Sequence, residues 1–231
     1  MGDIMLFLLV NDDGIKSKRL KFAKSVLSKY GKVITVAPMK EQSGKSMSLT
    51  LDKVAYKKIE DDTYFVEGTP VDCVSFGIFG LKIEPDYVIS GINKGFNIGI
   101  DTFYSGTLGA AFQAQYYGFK AAAFSGDSKG CTNYKRYFES TLEYIFDNDL
   151  FNNDYVLNVN FPKEEFQQHA EIAFTEAFFV NMRLAVDLAD DFFVTKREIL
   201  SKNLPLNSDV YALRNGKISI SKLYLTRKRS I

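Results

Sequence analysis

Two adjacent carboxylates, Asp12 and Asp13, stand where a short apolar run ends, with Asn11 before them and Gly14 after. Neighbouring acids repel unless a cation or a shared proton relieves them, and a cation is the simpler answer. Two further loops offer oxygen donors, Ser43 in Ser43-Gly44-Lys45-Ser46 and Asn93 in Gly91-Ile92-Asn93. Carboxylates with a hydroxyl and an amide form a hard donor set, which suits Mg²⁺ or Mn²⁺. The competing reading has Asp12 capping the next helix while Asp13 sits in a turn with Gly14. A fourth loop, Tyr104-Ser105-Gly106-Thr107, runs into the small residues Gly109, Ala110 and Ala111. A helix opening there exposes backbone N–H groups to an anion, and a phosphate fits. An ordinary Ser or Thr cap on a tightly packed helix explains the same residues.

Other candidates carry less. Ser43-Gly44-Lys45-Ser46 resembles the end of a phosphate-binding P-loop, but position 39, where the first glycine belongs, is Met39. Lys45 then reads as a solvated loop lysine. Cys73 lies on the apolar side of a helix and reads as core. His169 is the single histidine, so zinc sites and Ser/His or Cys/His nucleophiles would all need that one residue. It reads as a surface or packing residue.

The elements that must position these loops alternate in type. Ile4–Val10 is continuously apolar, as in a strand buried on both faces of a parallel sheet. Leu20, Ala23, Val26, Leu27 and Tyr30 then follow at helical spacing, with Gly31 where a C-terminal cap belongs. Strands are expected at 32–37, 64–66, 86–90, 120–124 and 155–160. Helices are expected from the Thr69-Pro70 cap through Ile78, over 107–117 up to Gly118, and over 134–146. Gly91, Gly95 and Gly99 space the loop 91–106 as turns or as points of close backbone approach. The alternation predicts an α/β fold, a doubly wound, mostly parallel sheet with right-handed crossovers. Ligands of such sheets collect beyond the carboxyl ends of the strands, where all four loops fall. Beyond residue 165 the pattern changes. Val210–Leu213 and Lys217–Leu225 flank Asn215-Gly216, a two-residue hairpin signal, while 173–205 lacks clear periodicity. The chain divides into a catalytic core, 1–165, and a C-terminal hairpin and arm, 166–231, suited to contact with a partner subunit.

Composition narrows the class. A chain of 231 residues, 46% apolar and 25% charged, is too apolar for a disordered polymer and ordinary for an enzyme. A formal charge of +1 gives no global field to gather nucleic acid or anionic membrane, despite Arg227, Lys228 and Arg229 near the end. Met1–Val10 lacks the basic region of a signal peptide, and no stretch is long enough to span a bilayer. Cys73 and Cys131 are isolated thiols, which suits a reducing compartment. The expected address is the cytoplasm.

Taken together, several blocks resemble the SurE family of survival-protein nucleotidases. They are Leu9-Val10-Asn11-Asp12-Asp13-Gly14, Ser43-Gly44, Ser48-Leu49-Thr50, Gly68-Thr69-Pro70-Val71-Asp72-Cys73-Val74 and Ser90-Gly91-Ile92-Asn93. The likeness continues through Gly95, Asn97, Gly99, Asp101, Tyr104-Ser105-Gly106-Thr107 and Ala110-Ala111 to Asn158-Val159-Asn160 and Pro162. The resemblance implies a Rossmann-like core and a homodimer or homotetramer. It implies 5′/3′-nucleotidase activity on nucleoside monophosphates, with short polyphosphate as a further substrate of some members. It also implies one divalent cation per subunit on Asp12, Asp13, Ser43 and Asn93, and a phosphate-side loop at Ser105, Gly106 and Thr107. The chain departs from the family at Ser17-Lys18-Arg19-Leu20, where a Pro-Gly pair is common, and around 173–205.

The expected mechanism is in-line attack of water on a phosphoryl group polarised by the cation, with Asp12 and Asp13 as catalytic residues and backbone donors of Ser105–Thr107 holding the other oxygens. Attack by either aspartate is an open alternative. A signalling receiver domain also carries an acidic pair after its first strand, but it needs an aspartate where this chain has Ser90-Gly91-Ile92-Asn93. A catalytically weak nucleotide sensor or scaffold of the same fold is the other rival.

Overall fold

The computed structural model describes residues 4–129, 132–163, 165–166, 169–178, 182–199 and 203–225. The first strand, β1 (Met5–Val10), lies between β2 (Gly31–Pro38) and β5 (Tyr87–Lys94), and is parallel to both. Outward from β2 come β4 (Thr63–Val66) and the antiparallel edge strand β3 (Tyr56–Glu60). On the other side β6 (Lys120–Gly126) and β7 (Val156–Asn160) continue the parallel run from β5. The chain thus winds one way from β1 to β2 and the other way from β5 onward. That reversal opens a crevice at the carboxyl ends of β1 and β5, where open α/β sheets seat their ligands.

Helices cover both faces because β1 is apolar at every position. On one face, α1 (Lys18–Leu27) and α5 (Asn133–Asp147) cover a core with Phe7, Leu9, Val33, Phe124 and Phe138. On the other, α2 (Pro70–Ser75) and α4 (Gly106–Tyr116) cover Leu8, Val10, Val36, Val74 and Leu108. The Thr69-Pro70 start of α2 is a full capping box, with the Asp72 N–H donating to Thr69 Oγ1 at 3.2 Å and the Thr69 N–H to Asp72 Oδ2 at 2.8 Å. A π-helical turn, Phe76–Gly80, continues α2.

The parallel core therefore follows the expected pattern of α and β elements, with two expectations corrected and one strand added. Gly31 begins β2 and caps nothing, since α1 ends at Ser28. The edge strand β3 escaped the hydrophobic pattern because all its residues are exposed and two of them are lysines, as befits a sheet edge. The expected hairpin around Asn215-Gly216 is absent: Asp209–Arg214 is a helix, α6, and only Ile218–Leu223 is a strand, β11. Ser208 decides this, because its side chain caps the helix by accepting from the Tyr211 N–H at 3.1 Å. Gly216 adopts φ +70° in the turn that closes the helix, with Lys217 N–H donating to the Ala212 carbonyl at 3.0 Å.

A hairpin does occur upstream, between β9 (Met182–Leu188) and β10 (Phe193–Ile199), in the segment without periodicity. It turns through Ala189-Asp190-Asp191-Phe192, closed by Ala189 N–H to the Phe192 carbonyl at 2.8 Å, and forms a sheet of its own. The other C-terminal strands join the main sheet. β11 pairs antiparallel with β7, and β8 (Ile172–Thr175) lies parallel on the outside of β11, completing nine strands. A four-residue helix, α3 (Asp101–Tyr104), precedes α4. Among the described residues no helix is long and apolar enough to cross a membrane.

Candidate functional site

Asp12 leaves β1 into the crevice and is only 3% exposed. It caps nothing downstream, since α1 is capped by Ser17. Instead it meets the start of α4. Thr107 Oγ1 donates to Asp12 Oδ1 at 2.8 Å, and the Gly106 backbone packs so close that a side chain there would lie 3.2 Å from Asp12 Cβ. The partial positive charge of a helix N-terminus favours an anion. At α4 the anion in contact with the protein is Asp12 itself. Burial is the larger effect and raises the Asp12 pKa to about 6, with the neighbouring Asp13 charge adding to it and Thr107 opposing it.

Asp13 is half-buried and faces the other wall of the crevice. Its Oδ2 accepts from the Lys94 N–H at 3.1 Å, which brings it next to Asn93. Burial raises its pKa too, against the pull of that hydrogen bond and of Arg19. Asn93 is 8% exposed, and its amide nitrogen donates to the Gly95 carbonyl at 3.0 Å, which leaves oxygen as the amide's acceptor. One residue before the acidic pair, the Asn11 amide oxygen is buried with no protein partner among the described residues.

The Ser43 loop is tied to the pair through its backbone. Gln42 N–H donates to the Asp12 carbonyl at 2.7 Å, while Ser46 N–H and Oγ donate to the carbonyls of Tyr104 and Phe103 at 3.0 and 2.7 Å. Gly109 makes this approach possible, since a β-carbon there would lie 2.1 Å from the Ser46 carbonyl oxygen. Farther on, Asp72 accepts from the Thr50 hydroxyl at 2.6 Å and Thr69 donates to the Ser48 carbonyl at 2.7 Å. The Ser48-Leu49-Thr50 and Gly68-to-Val74 blocks are thereby two halves of one clamp. Ser43 itself is exposed, and its hydroxyl donates to Glu41 Oε1 at 2.8 Å rather than to either aspartate.

Ser105 is the cap of α4, accepting from the Leu108 N–H at 3.1 Å. Thr107 is fully buried and bound to Asp12, and Gly106 and Leu108 beside it are buried as well. The remaining candidates fall as expected. Cys73 is fully buried and burial pushes its thiol pKa well up, so it is core; His169 and Lys45 are exposed. Cys131 and Arg227–Arg229 lie outside the described residues.

The sequence assigns no role in the site to three residues that shape it. Arg19, 7% exposed, reaches from α1 to the ends of β5 and β6, donating to the carbonyls of Asn93 at 2.6 Å, Gly126 at 3.3 Å and Asp127, with its guanidinium over the Tyr134 ring. Its signal was the departure from the family pattern at Ser17-Lys18-Arg19-Leu20. Asn97 is held by a buried polar cluster: its N–H donates to Asn160 Oδ1 at 2.9 Å, its amide to Ser125 Oγ at 2.8 Å, and its carbonyl accepts from Asn158 at 2.8 Å. Asp209, fully buried at the start of α6, accepts from the Gly99 and Phe178 N–H groups at 2.8 and 3.2 Å. The glycine-rich loop is therefore gripped from β6, β7 and α6 together.

The family model described as survival protein SurE matches residues 7–183. The 5′/3′-nucleotidase SurE of Wigglesworthia glossinidia brevipalpis is 32% identical, with 98% of this chain and 95% of that protein aligned. The 5′-nucleotidase SurE of Thermoanaerobacter sp. (strain X514) is 43% identical over 169 residues, which are 68% of this chain and 66% of that protein. The crystal structure of the SurE protein from Aquifex aeolicus superposes with a TM-score of 0.82 at 30% identity, covering 97% of this chain and 95% of that one.

Because the Asp12 pKa rises from 3.8 to about 6 on folding, its protonated form stabilises the fold fully below pH 3.8, and that contribution is lost as the pH rises through 6. Two pKa units correspond to about 3 kcal/mol. In chelator, the wild-type free energy of urea unfolding should fall by roughly that amount from pH 4 to 7 relative to Asp12→Asn. Identical pH profiles for the two proteins would show that Asp12 is not buried in this way.

Proposed function

The chain belongs to the survival protein SurE family, and from that membership and the buried acidic pair we propose that it is a divalent-metal-dependent nucleotidase. It hydrolyses nucleoside 5′- or 3′-monophosphates to nucleoside and phosphate. The observation that carries the reading is Asp12, a carboxylate buried beside a second carboxylate at the sheet's switch point. The donors fit a hard cation. Asp12 and Asp13 supply charge, Asn93 an amide oxygen and Ser43 a hydroxyl, which is the oxygen chemistry of Mg²⁺ or Mn²⁺ sites. Ser43 would join the set by giving up its bond to Glu41. A divalent cation bound there would supply Lewis-acid polarisation of a phosphoryl oxygen and stabilise the charge that develops on it.

The chain's own groups do the rest by position. The start of α4 lies against Asp12, and the partial positive charge of its N-terminus would favour a phosphoryl group in the crevice. Thr107 fixes Asp12 in one rotamer. Arg19 holds the Asn93 carbonyl and, by its charge, favours ionised Asp13. The clamp on the Ser48–Thr50 segment anchors the chain just after the Ser43 loop. Side chains exposed on β9–β10, among them Leu188 and Phe193, support assembly into a homodimer or homotetramer, which a single-chain mass in sedimentation equilibrium would contradict.

The activity is tested by phosphate release from a panel of nucleoside 5′- and 3′-monophosphates and short polyphosphate, in chelator and then with Mg²⁺ or Mn²⁺. Release is expected only with the cation, and Asp13→Asn should reduce it to background while keeping the native circular dichroism. Full turnover by that variant would refute the assignment. Nucleotide binding without phosphate release in the wild type would mark a sensor.

A further inference from the structure

Arg19 lies in the segment where this chain departs from the family's Pro-Gly pair, and its place in the fold is costly in two ways. It sits in the first turn of α1, which holds no acidic residue, so its charge opposes the positive end of the helix dipole. It is also 7% exposed, and a charge taken out of water needs polar partners to offset the loss. What offsets both is what the guanidinium touches.

The guanidinium spans a break in the sheet. Between Ser90 and Asn93 the register of β5 against β6 shifts, with Gly91 at φ +131°, and pairing resumes with Asn93 opposite Ser125. Just past this break Arg19 Nη1 donates to the carbonyls of Asn93 at 2.6 Å and Gly126 at 3.3 Å, and Nη2 donates to that of Asp127. One side chain thus joins the ends of β5 and β6 where regular pairing has been interrupted. Tyr134, 5% exposed, covers it with its ring centroid at 4.7 Å. A planar fork can reach several carbonyls at once, whereas a lysine ammonium in its place would keep the charge and lose the geometry.

The Asn93 carbonyl belongs to the same peptide group as the Lys94 N–H, and that N–H donates to Asp13 Oδ2 at 3.1 Å. A single peptide therefore accepts from a buried cation at one end and donates to a carboxylate at the other. Hydrogen bonds in such a chain polarise one another, so the guanidinium strengthens the N–H as a donor to Asp13. With Oδ2 committed to the peptide, Asp13 can offer its other oxygen to a ligand without losing that bond. The Asn93 side chain is fixed from the same point, its amide nitrogen donating to the Gly95 carbonyl at 3.0 Å.

We propose that Arg19 is a positioning residue of the cation site: through the Asn93–Lys94 peptide it sets the orientation of Asp13, holds Asn93 beside it, and so raises the affinity for a divalent cation. This rests on the metal-dependent reading of Asp12, Asp13, Ser43 and Asn93. Electrostatics alone would act the other way, because a buried positive charge repels a second cation. Positioning and repulsion therefore give opposite signs when the charge is removed.

The test is calorimetric titration with Mn²⁺ of the metal-free full chain, of Arg19→Gln and of Arg19→Lys, with circular dichroism as the check of folding. Both variants should bind Mn²⁺ about tenfold more weakly than the wild type, the size of effect seen when an outer partner of a metal-ligating group is lost. Repulsion alone predicts tighter binding by Arg19→Gln and no change in Arg19→Lys. A purely structural role predicts a lower urea midpoint with wild-type affinity in both. Either of these results overturns the proposal. If Arg19→Gln does not fold, Arg19→Lys, which keeps the buried charge, decides the matter by weaker or unchanged binding. No binding by the wild type removes the cation site and the role of Arg19 with it, whereas wild-type affinity in the folded variants removes the role of Arg19 alone.

Discussion

Holding Asp12 ionised, almost out of water and next to Asp13, is the constraint around which the crevice is organised. At neutral pH burial makes that charge costly, and its neighbour makes it costlier still. Much of the surrounding structure offsets the cost. The start of α4 turns its donors toward Asp12, Thr107 gives up its hydroxyl to it, and Gln42 ties a loop to its backbone. Arg19 brings a buried positive charge to the Asp13 side. Buried carboxylate pairs with raised pKa values in a crevice are the kind of arrangement that clusters at functional sites.

The second wall is rigid for a different reason. The glycine-rich loop, with positive φ at Gly91, Gly95 and Gly99, is held by side chains from the elements around it. Asn97 is gripped by Ser125, Asn158 and Asn160 from two strands, and Gly99 by Asp209 from the C-terminal part of the chain. Fully satisfied buried polar clusters of this kind fix one arrangement. The segment after residue 165 therefore does more than extend the sheet, because α6 reaches back to the loop beside the acidic pair.

The parallel core was legible because β1, β2, β5, β6 and β7 are buried on both faces, and continuous apolar runs separated by helical periods leave few alternatives. The loops were legible as well, since a doubly wound sheet brings all its carboxyl ends to one edge. Arg19 was not, because its partners are backbone carbonyls, which leave no trace in residue identity. Asp209 was hidden likewise, since its partners are the backbone N–H groups of Gly99 and Phe178. The Asn215-Gly216 signal misled because a helix end and a tight hairpin both use a glycine at positive φ, and the deciding residue, Ser208, lies seven positions earlier. The hairpin at β9–β10 turns on Asp190-Asp191, without the glycine that advertises such turns.

Asp12, Asp13 and Asn93 are proposed to form one cation site. Equilibrium titration of the metal-free chain with Mn²⁺, read by the loss of the free-ion electron paramagnetic resonance signal, measures this without reference to catalysis. One Mn²⁺ bound per chain in the wild type and none in folded Asp12→Asn or Asp13→Asn is the predicted result. Equal binding in all three proteins, or none in the wild type, would contradict the account.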